Sequence, residues 1–218
     1  MKERIVLIGC VGTAKNIIEH ILDAELNFKG NIHLEGICID SYPRGNKIMG
    51  VPILAGTNDI STLLKETDYK FLFALYKPDK MSERLNLLKS FNIPANRWIN
   101  FIHPKAWIAE SVKFGYGNIV LSNVSIMSDV ILGNFNIINP GVTIEHGTSI
   151  YEGNFIAAGS IIGADVNIES SSFIGLNSAI RECVKLNRVY SGMGSLILED
   201  FERAIIYGQP ARIRKSWE

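Results

Sequence analysis

Hydrophobic positions change their rhythm part-way along this chain. Up to about residue 103, apolar runs of strand length alternate with segments whose apolar residues recur at helical spacing. Residues 4–9 (RIVLIG), 34–40 (LEGICID) and 70–75 (KFLFAL) read as buried strands, and 98–103 as a short last strand. Residues 13–22 and 81–91 read as helices. Pro43, Gly45, Gly50 and Pro52 mark a long loop after the second strand. This alternation predicts a small parallel sheet with helices packed on it.

From Pro104 the stride is six. Ile108, Phe114, Val120, Ile126, Leu132, Ile138, Ile144, Ile150, Ile156, Ile162, Ile168, Ile174, Ile180 and Leu186 follow one another without a slip. Two residues before most steps stands a small or β-branched residue, and the residue after is often Gly or Ala. A strict hexad predicts a β-solenoid, in which each hexad forms one side of a triangular coil and its last residue points inward. Eighteen residues then complete a turn, so residue n lies over residue n+18 at ~4.8 Å. The repeat is expected to end at Gly192. An antiparallel sandwich would instead alternate at period two between turns.

Composition agrees with that core. Of 218 residues, 32 are isoleucine, and ten of these fall on the hexad steps, while aromatic residues make up only 9%. With 22 basic and 22 acidic residues the net charge is zero, which lacks the basic footprint of a nucleic-acid binder. No apolar run approaches the roughly 18 residues of a membrane helix. The opening MKERIVLIGC is too short for a signal peptide and lacks a cleavage site, so a cytoplasmic protein is expected. Cys10, Cys38 and Cys183 are too scattered for a disulfide framework or a zinc motif, and no metal is expected.

Three features carry candidate chemistry. The loop with Gly9, Val11, Gly12 and Lys15 joins a strand to a helix, where backbone N–H groups can hold a phosphate. Val11 stands where a dinucleotide fingerprint needs glycine, which argues against an NAD enzyme. Asp40 ends the second strand, a place for a carboxylate that contacts a ribose; Lys77 and Arg84 follow the third and could help there, but a solvated helix face is the preferred reading of both. The second feature is His146, the one histidine inside the solenoid, two residues after an inward step and therefore at an outward corner. A histidine titrates near pH 6.5 when unperturbed, which suits it to take and return a proton. Third, no Lys or Arg lies between Lys113 and Arg181, whereas Arg181, Lys185, Arg188, Arg212, Arg214 and Lys215 cluster toward the end.

Hexads followed by Tyr207-Gly208-Gln209-Pro210-Ala211-Arg212, and by Ser191-Gly192-Met193-Gly194-Ser195 at the close of the solenoid, resemble the left-handed β-helix acyltransferases. The loop Ile8 to Lys15, the junction Phe101-Ile102-His103-Pro104 and the stretch Ile144-Glu145-His146 resemble the NeuD/PglD group of bacterial sugar acyltransferases. The resemblance implies a Rossmann-like nucleotide-sugar-binding domain (1–103) and a left-handed parallel β-helix with a C-terminal tail (104–218). It also implies acetyl transfer from acetyl-CoA to a nucleotide-linked amino sugar for a surface glycan, by homotrimers with the site between neighbouring solenoids. His146 takes the place of the catalytic base, and Ala164 that of the amide facing the thioester oxygen. Gly9, Val11, Gly12, Asp40 and Lys77 fall to the sugar nucleotide. Phe155, Gly163 and Ala164 fall to CoA; from the charge distribution, Arg181 and Arg212 are expected to meet its phosphates toward the C-terminal coils, with a solvated basic tail as the even alternative.

Two departures stand out. Many relatives have an acid directly after the histidine, and here that residue is Gly147, which leaves Glu145 to orient the ring. Phe155 stands where one branch has a second histidine. The His146-Gly147 pair favours an O-acetyltransferase of a sialic acid or related sugar as the alternative. A non-catalytic assembly solenoid would keep the hexads without needing His146.

Overall fold

The structure, a computed structural model, describes residues 2–217. In the N-terminal part β1 (Glu3–Ile8), α1 (Thr13–Asn27), β2 (Ile32–Cys38), β3 (Lys47–Ile48), β4 (Val51–Ala55), α2 (Ile60–Glu66), β5 (Lys70–Phe73) and α3 (Met81–Ser90) follow in order. The sheet runs β3-β4-β2-β1-β5, parallel except for the β3–β4 pair. Central β1 is covered on both faces, so Ile5, Val6, Leu7 and Ile8 are all fully buried and the strand reads as a continuous apolar run.

The sequence reading needs four corrections here. Helix α1 runs to Asn27 because Ala24 continues the buried stripe of Ala14, Ile17, Ile18 and Ile21. The supposed loop holds the β3–β4 hairpin, turned at Met49 and Gly50, both at positive φ. Pro52 is tolerated in β4 because pairing with β2 starts only at Ile53. Helix α2 was not foreseen. The short last strand does not extend the N-terminal sheet: Trp98 makes a single bridge to Phe71, and Phe101–Ile102 pairs with Ile119–Val120 in the first coil.

From there two-residue strands recur every six residues as far as Ala179–Ile180, and those up to Asn167–Ile168 pair in parallel with the strand eighteen residues on. The inward residues from Val120 to Leu186 are essentially inaccessible. Buried corner amides stack as well: Asn136 donates to Asn118 and Asn154 donates to Asn136, which satisfies polar groups that face no solvent. The coil does not stop at Gly192. Its period shortens instead, with Phe173 over Tyr190, Ile180 over Ile197 and Leu186 over Phe201. Strand Phe201–Gly208 closes the coil and is covered by the antiparallel strand Ala211–Ser216.

The triangle has three faces, and one is not free. Its outward residues Phe101, Ile119, Ile137 and Phe155 are at most 9% exposed and share a core with β1, β2 and α1. The N-terminal domain sits on this face and on the two corners that flank it. Lys89 pairs with Glu152 at one corner, and His20 bonds Ser122 at the other.

His103 pins the junction. It is 1% exposed; its Nδ1 accepts the Lys105 N–H, so Nε2 holds the proton and donates to Asp23. Burial pushes its pKa below the ordinary histidine range, outweighing the pull of Asp23 in the other direction. The unfolded chain therefore takes up a proton near pH 6.5 that the folded chain refuses, and stability falls as pH drops below that point. The melting temperature is expected to decline between pH 7.5 and 5.5, and His103→Gln, which keeps a donor for Asp23, is expected to flatten that slope.

Candidate active site

Two separate places gather the candidate residues. The first lies at the C-terminal ends of β1 and β5, where a cavity of about 370 Å³ is lined by Val11, Gly12, Thr13, Tyr76, Lys77 and Arg84. Gly12, at φ 58, caps α1 without a side-chain hydrogen bond, and the Ala14 and Lys15 N–H groups donate to the Val11 and Gly12 carbonyls. Gly9 lies behind the loop, where a Cβ would stand 3.1 Å from Leu75 and 3.2 Å from the Ala74 backbone. Asp40 is not among the lining residues: its two carboxylate oxygens accept the N–H and the hydroxyl of Thr57.

Arg84 is more than a solvated helix residue. Its Nε is buried and has no hydrogen-bond partner among the described residues, and the residue lines this cavity. Tyr76 was missed altogether. Its hydroxyl donates to the Phe135 carbonyl, and burial, followed by the nearby Glu152, raises its pKa far above the phenol range. It is a strut between the domains. A second cavity of about 280 Å³ shares Lys77 and Pro78 with the first, its far wall made by Tyr190, Ile205 and Trp217 from the end of the chain.

The second place is the solenoid corner opposite the covered face. His146 is exposed there, with Glu145 half-buried before it. The Asp165 N–H donates to the His146 carbonyl at 3.0 Å, and the Cys183 N–H to the Ala164 carbonyl at 2.9 Å, so the corners stack in register. The Ala164 N–H itself makes no hydrogen bond among the described residues, one coil or ~4.8 Å along from His146. Gly163 has no room for a side chain, since a Cβ would lie 2.6 Å from the Glu182 nitrogen. Arg181 follows two coils from Glu145 on the same edge, and Arg212 reaches that edge by pairing with Glu199 at 3.2 Å.

Phe155 is elsewhere. It lies on the covered face in an aromatic column, stacked on Phe173 at 5.2 Å and tilted against Tyr76. Its signal was available, because the residue before every third step is apolar and hence outward-facing yet buried. Within one chain, then, the cavity of the N-terminal domain and His146 lie on opposite sides of the coil. Among the described residues, no three His, Cys, Asp or Glu side chains come together to hold a metal, and no helix is long and apolar enough to cross a membrane.

The same two-part architecture occurs in solved structures. A point mutant of perosamine N-acetyltransferase from Caulobacter crescentus, in complex with CoA and GDP-perosamine, superposes with a TM-score of 0.83 at 22% identity, over 99% of this chain and 98% of that one. The acetyltransferase domain of PglB from Neisseria gonorrhoeae, in complex with acetyl coenzyme A, gives 0.81 at 19% identity over 98% and 100%. WeeI from Acinetobacter baumannii gives 0.78 at 19% over 96% and 99%. The chain has their fold. It is an α/β domain followed by a left-handed parallel β-helix. In sequence, an uncharacterized protein of Acanthamoeba polyphaga mimivirus is 30% identical over 132 residues, 61% of this chain. The match spans about a quarter, 24%, of that relative's length. No protein-family model matches the chain.

Proposed function

We propose that this protein transfers the acetyl group of acetyl-CoA to the amino group of a nucleotide-linked deoxyamino sugar, as a step in surface-glycan assembly. The observation that carries the reading is the exposed His146 beside the unpaired N–H of Ala164. A ring nitrogen of His146 takes the proton from the attacking amine as nitrogen bonds to the thioester carbon. The charge that develops on the carbonyl oxygen is met by the Ala164 N–H. The C–S bond then breaks, the imidazolium returns the proton to the thiolate, and amide and CoA thiol leave. Arg181 and Arg212, on the same edge, are placed for the phosphates of CoA. The solved relatives with CoA, acetyl-CoA and GDP-perosamine support this choice of substrates.

Such a site needs more than one copy of the chain. The sugar nucleotide would sit in the Gly12–Arg84 cavity, away from the same chain's His146, so a neighbouring solenoid must supply the histidine. A homotrimer satisfies this. Exposed Trp107 and Ile161 on one uncovered face, and Ile131 on the other, supply apolar surface for the contact.

The test is a panel of nucleotide sugars, GDP-perosamine included, incubated with acetyl-CoA while thiol release is followed. Release is expected with amino sugars. Release only with hydroxy sugars would move the acceptor to oxygen, and no release with any sugar would favour an assembly role. In the same pocket, Arg84→Gln is expected to weaken binding of a nucleoside diphosphate by roughly tenfold or more, the loss of a charge-assisted hydrogen bond. Calorimetric titration with GDP and UDP measures this, and an unchanged affinity would remove Arg84 from the pocket.

A further inference from the structure

Gly147 follows His146 at φ 70, a backbone conformation that favours glycine. Conformation alone does not explain it. The equivalent corner positions one coil before and one and two coils after are Asp129, Asp165 and Cys183, and all three hold positive φ, at 61, 56 and 62 degrees, with ordinary side chains. What singles out position 147 is its neighbour. A Cβ built on Gly147 would stand 2.2 Å from Oδ1 of Asp165, so the carboxylate already occupies the space where a side chain at 147 would begin. That separation is about the one between Cβ and a carboxylate oxygen within a single aspartate. The coil thus places an acidic oxygen from the next rung beside Gly147, the position that directly follows His146 and itself carries no acid.

We propose that Asp165 is the positioning residue for the His146 ring, its carboxylate reaching from the next coil into the space left by Gly147. The assignment rests on reading His146 as the base. Glu145 is the other adjacent carboxylate, but neighbouring side chains on a strand diverge, whereas Asp165 is tied to His146 by the hydrogen bond from its own N–H to the His146 carbonyl. Among the described residues the histidine ring hydrogen bonds belong to His20, His33 and His103, which leaves the His146 ring free to turn toward this carboxylate. The other ionisable groups on the edge, Glu110, Asp129, Arg181, Glu182 and Cys183, are each about a coil or more away from His146 along the stack. A carboxylate that accepts one ring N–H fixes the tautomer, aims the other nitrogen at the acceptor and stabilises the imidazolium as it forms.

The experiment compares Asp165→Asn, the double variant Gly147→Asp with Asp165→Gly, and His146→Ala in the full chain, with acetyl-CoA and the best acceptor from the panel. Asparagine tolerates positive φ, so the coil is expected to survive, which thermal melting checks. For Asp165→Asn, kcat is expected to fall on the order of 10- to 100-fold with KM little changed, and the acid limb of the pH profile of kcat/KM to move to lower pH. The double variant returns the carboxylate from the adjacent residue and is expected to recover most of the rate. Wild-type kcat and an unmoved pH profile in Asp165→Asn, with His146→Ala inactive, would overturn this assignment alone. An active His146→Ala would overturn the base on which it depends.

Discussion

Replacing His146 by alanine is expected to lower kcat by about 10²- to 10⁴-fold while leaving the fold intact. That range corresponds to roughly 3–5 kcal/mol of transition-state stabilisation. In the proposed mechanism the loss falls on kcat, because the ring acts on a proton that moves only as the new bond forms and takes no part in holding either substrate in the ground state. The structure explains why stability is spared. His146 is exposed at a corner, and the hydrogen bond that joins it to the next coil is made by its backbone carbonyl, which alanine retains. A surface change of this kind alters stability by no more than about 0.5 kcal/mol. Thiol-release kinetics, with melting and size-exclusion profiles as controls, measure both halves. An alanine variant with the parent rate would leave the solenoid without its base.

The second large effect concerns two neighbours on one strand. Phe155 and Ile156 form a single two-residue rung, yet they point into different cores. Ile156 faces inward between Ile138 and Ile174 in the coil's aliphatic stack. Removing its side chain to alanine leaves a cavity in a rigid column and is expected to lower stability by about 2–5 kcal/mol, against about 0.5–1.5 for valine. Phe155 faces outward, between Phe173 and Tyr76 under the N-terminal domain. Its replacement by alanine is expected to remove about 3–5 kcal/mol, from the seat of one domain on the other. Urea unfolding separates the two cases. The first variant should shift the main transition, while the second should split off an earlier one and expose the junction around Asn100 to protease. Identical unfolding of both variants would mean that the two cores are one.

The solenoid was legible because its inward position accepts only large aliphatic side chains, and a stride of six exposes every one of them. The same stride hid the covered face. Phe101, Ile119, Ile137, Phe155 and Phe173 belong to a stride of eighteen, and averaging over three faces mixes them with Trp107, Ser125 and Thr143. The β3–β4 hairpin and α2 were not legible, because glycines and prolines at 43–52 signal turns without telling which short strands they connect. At the site, the exposure of His146 followed from its distance to an inward step. The role of Arg84 did not, since an unpaired Nε is a property of packing. Nor did the apposition of Asp165 and Gly147, which exists only once one coil lies on another.

The closing strand pair has a consequence for how far this molecule can grow. Every parallel coil ends in a row of N–H and C=O groups that another chain could continue, and identical ends invite filaments. Here the terminal rung Phe201–Gly208 is paired with a strand that runs the other way, Ala211–Ser216. That strand carries Arg212, Arg214 and Lys215, all exposed. A second molecule approaching end to end meets reversed polarity and its own positive charge. Both features work against polymerisation along the coil axis.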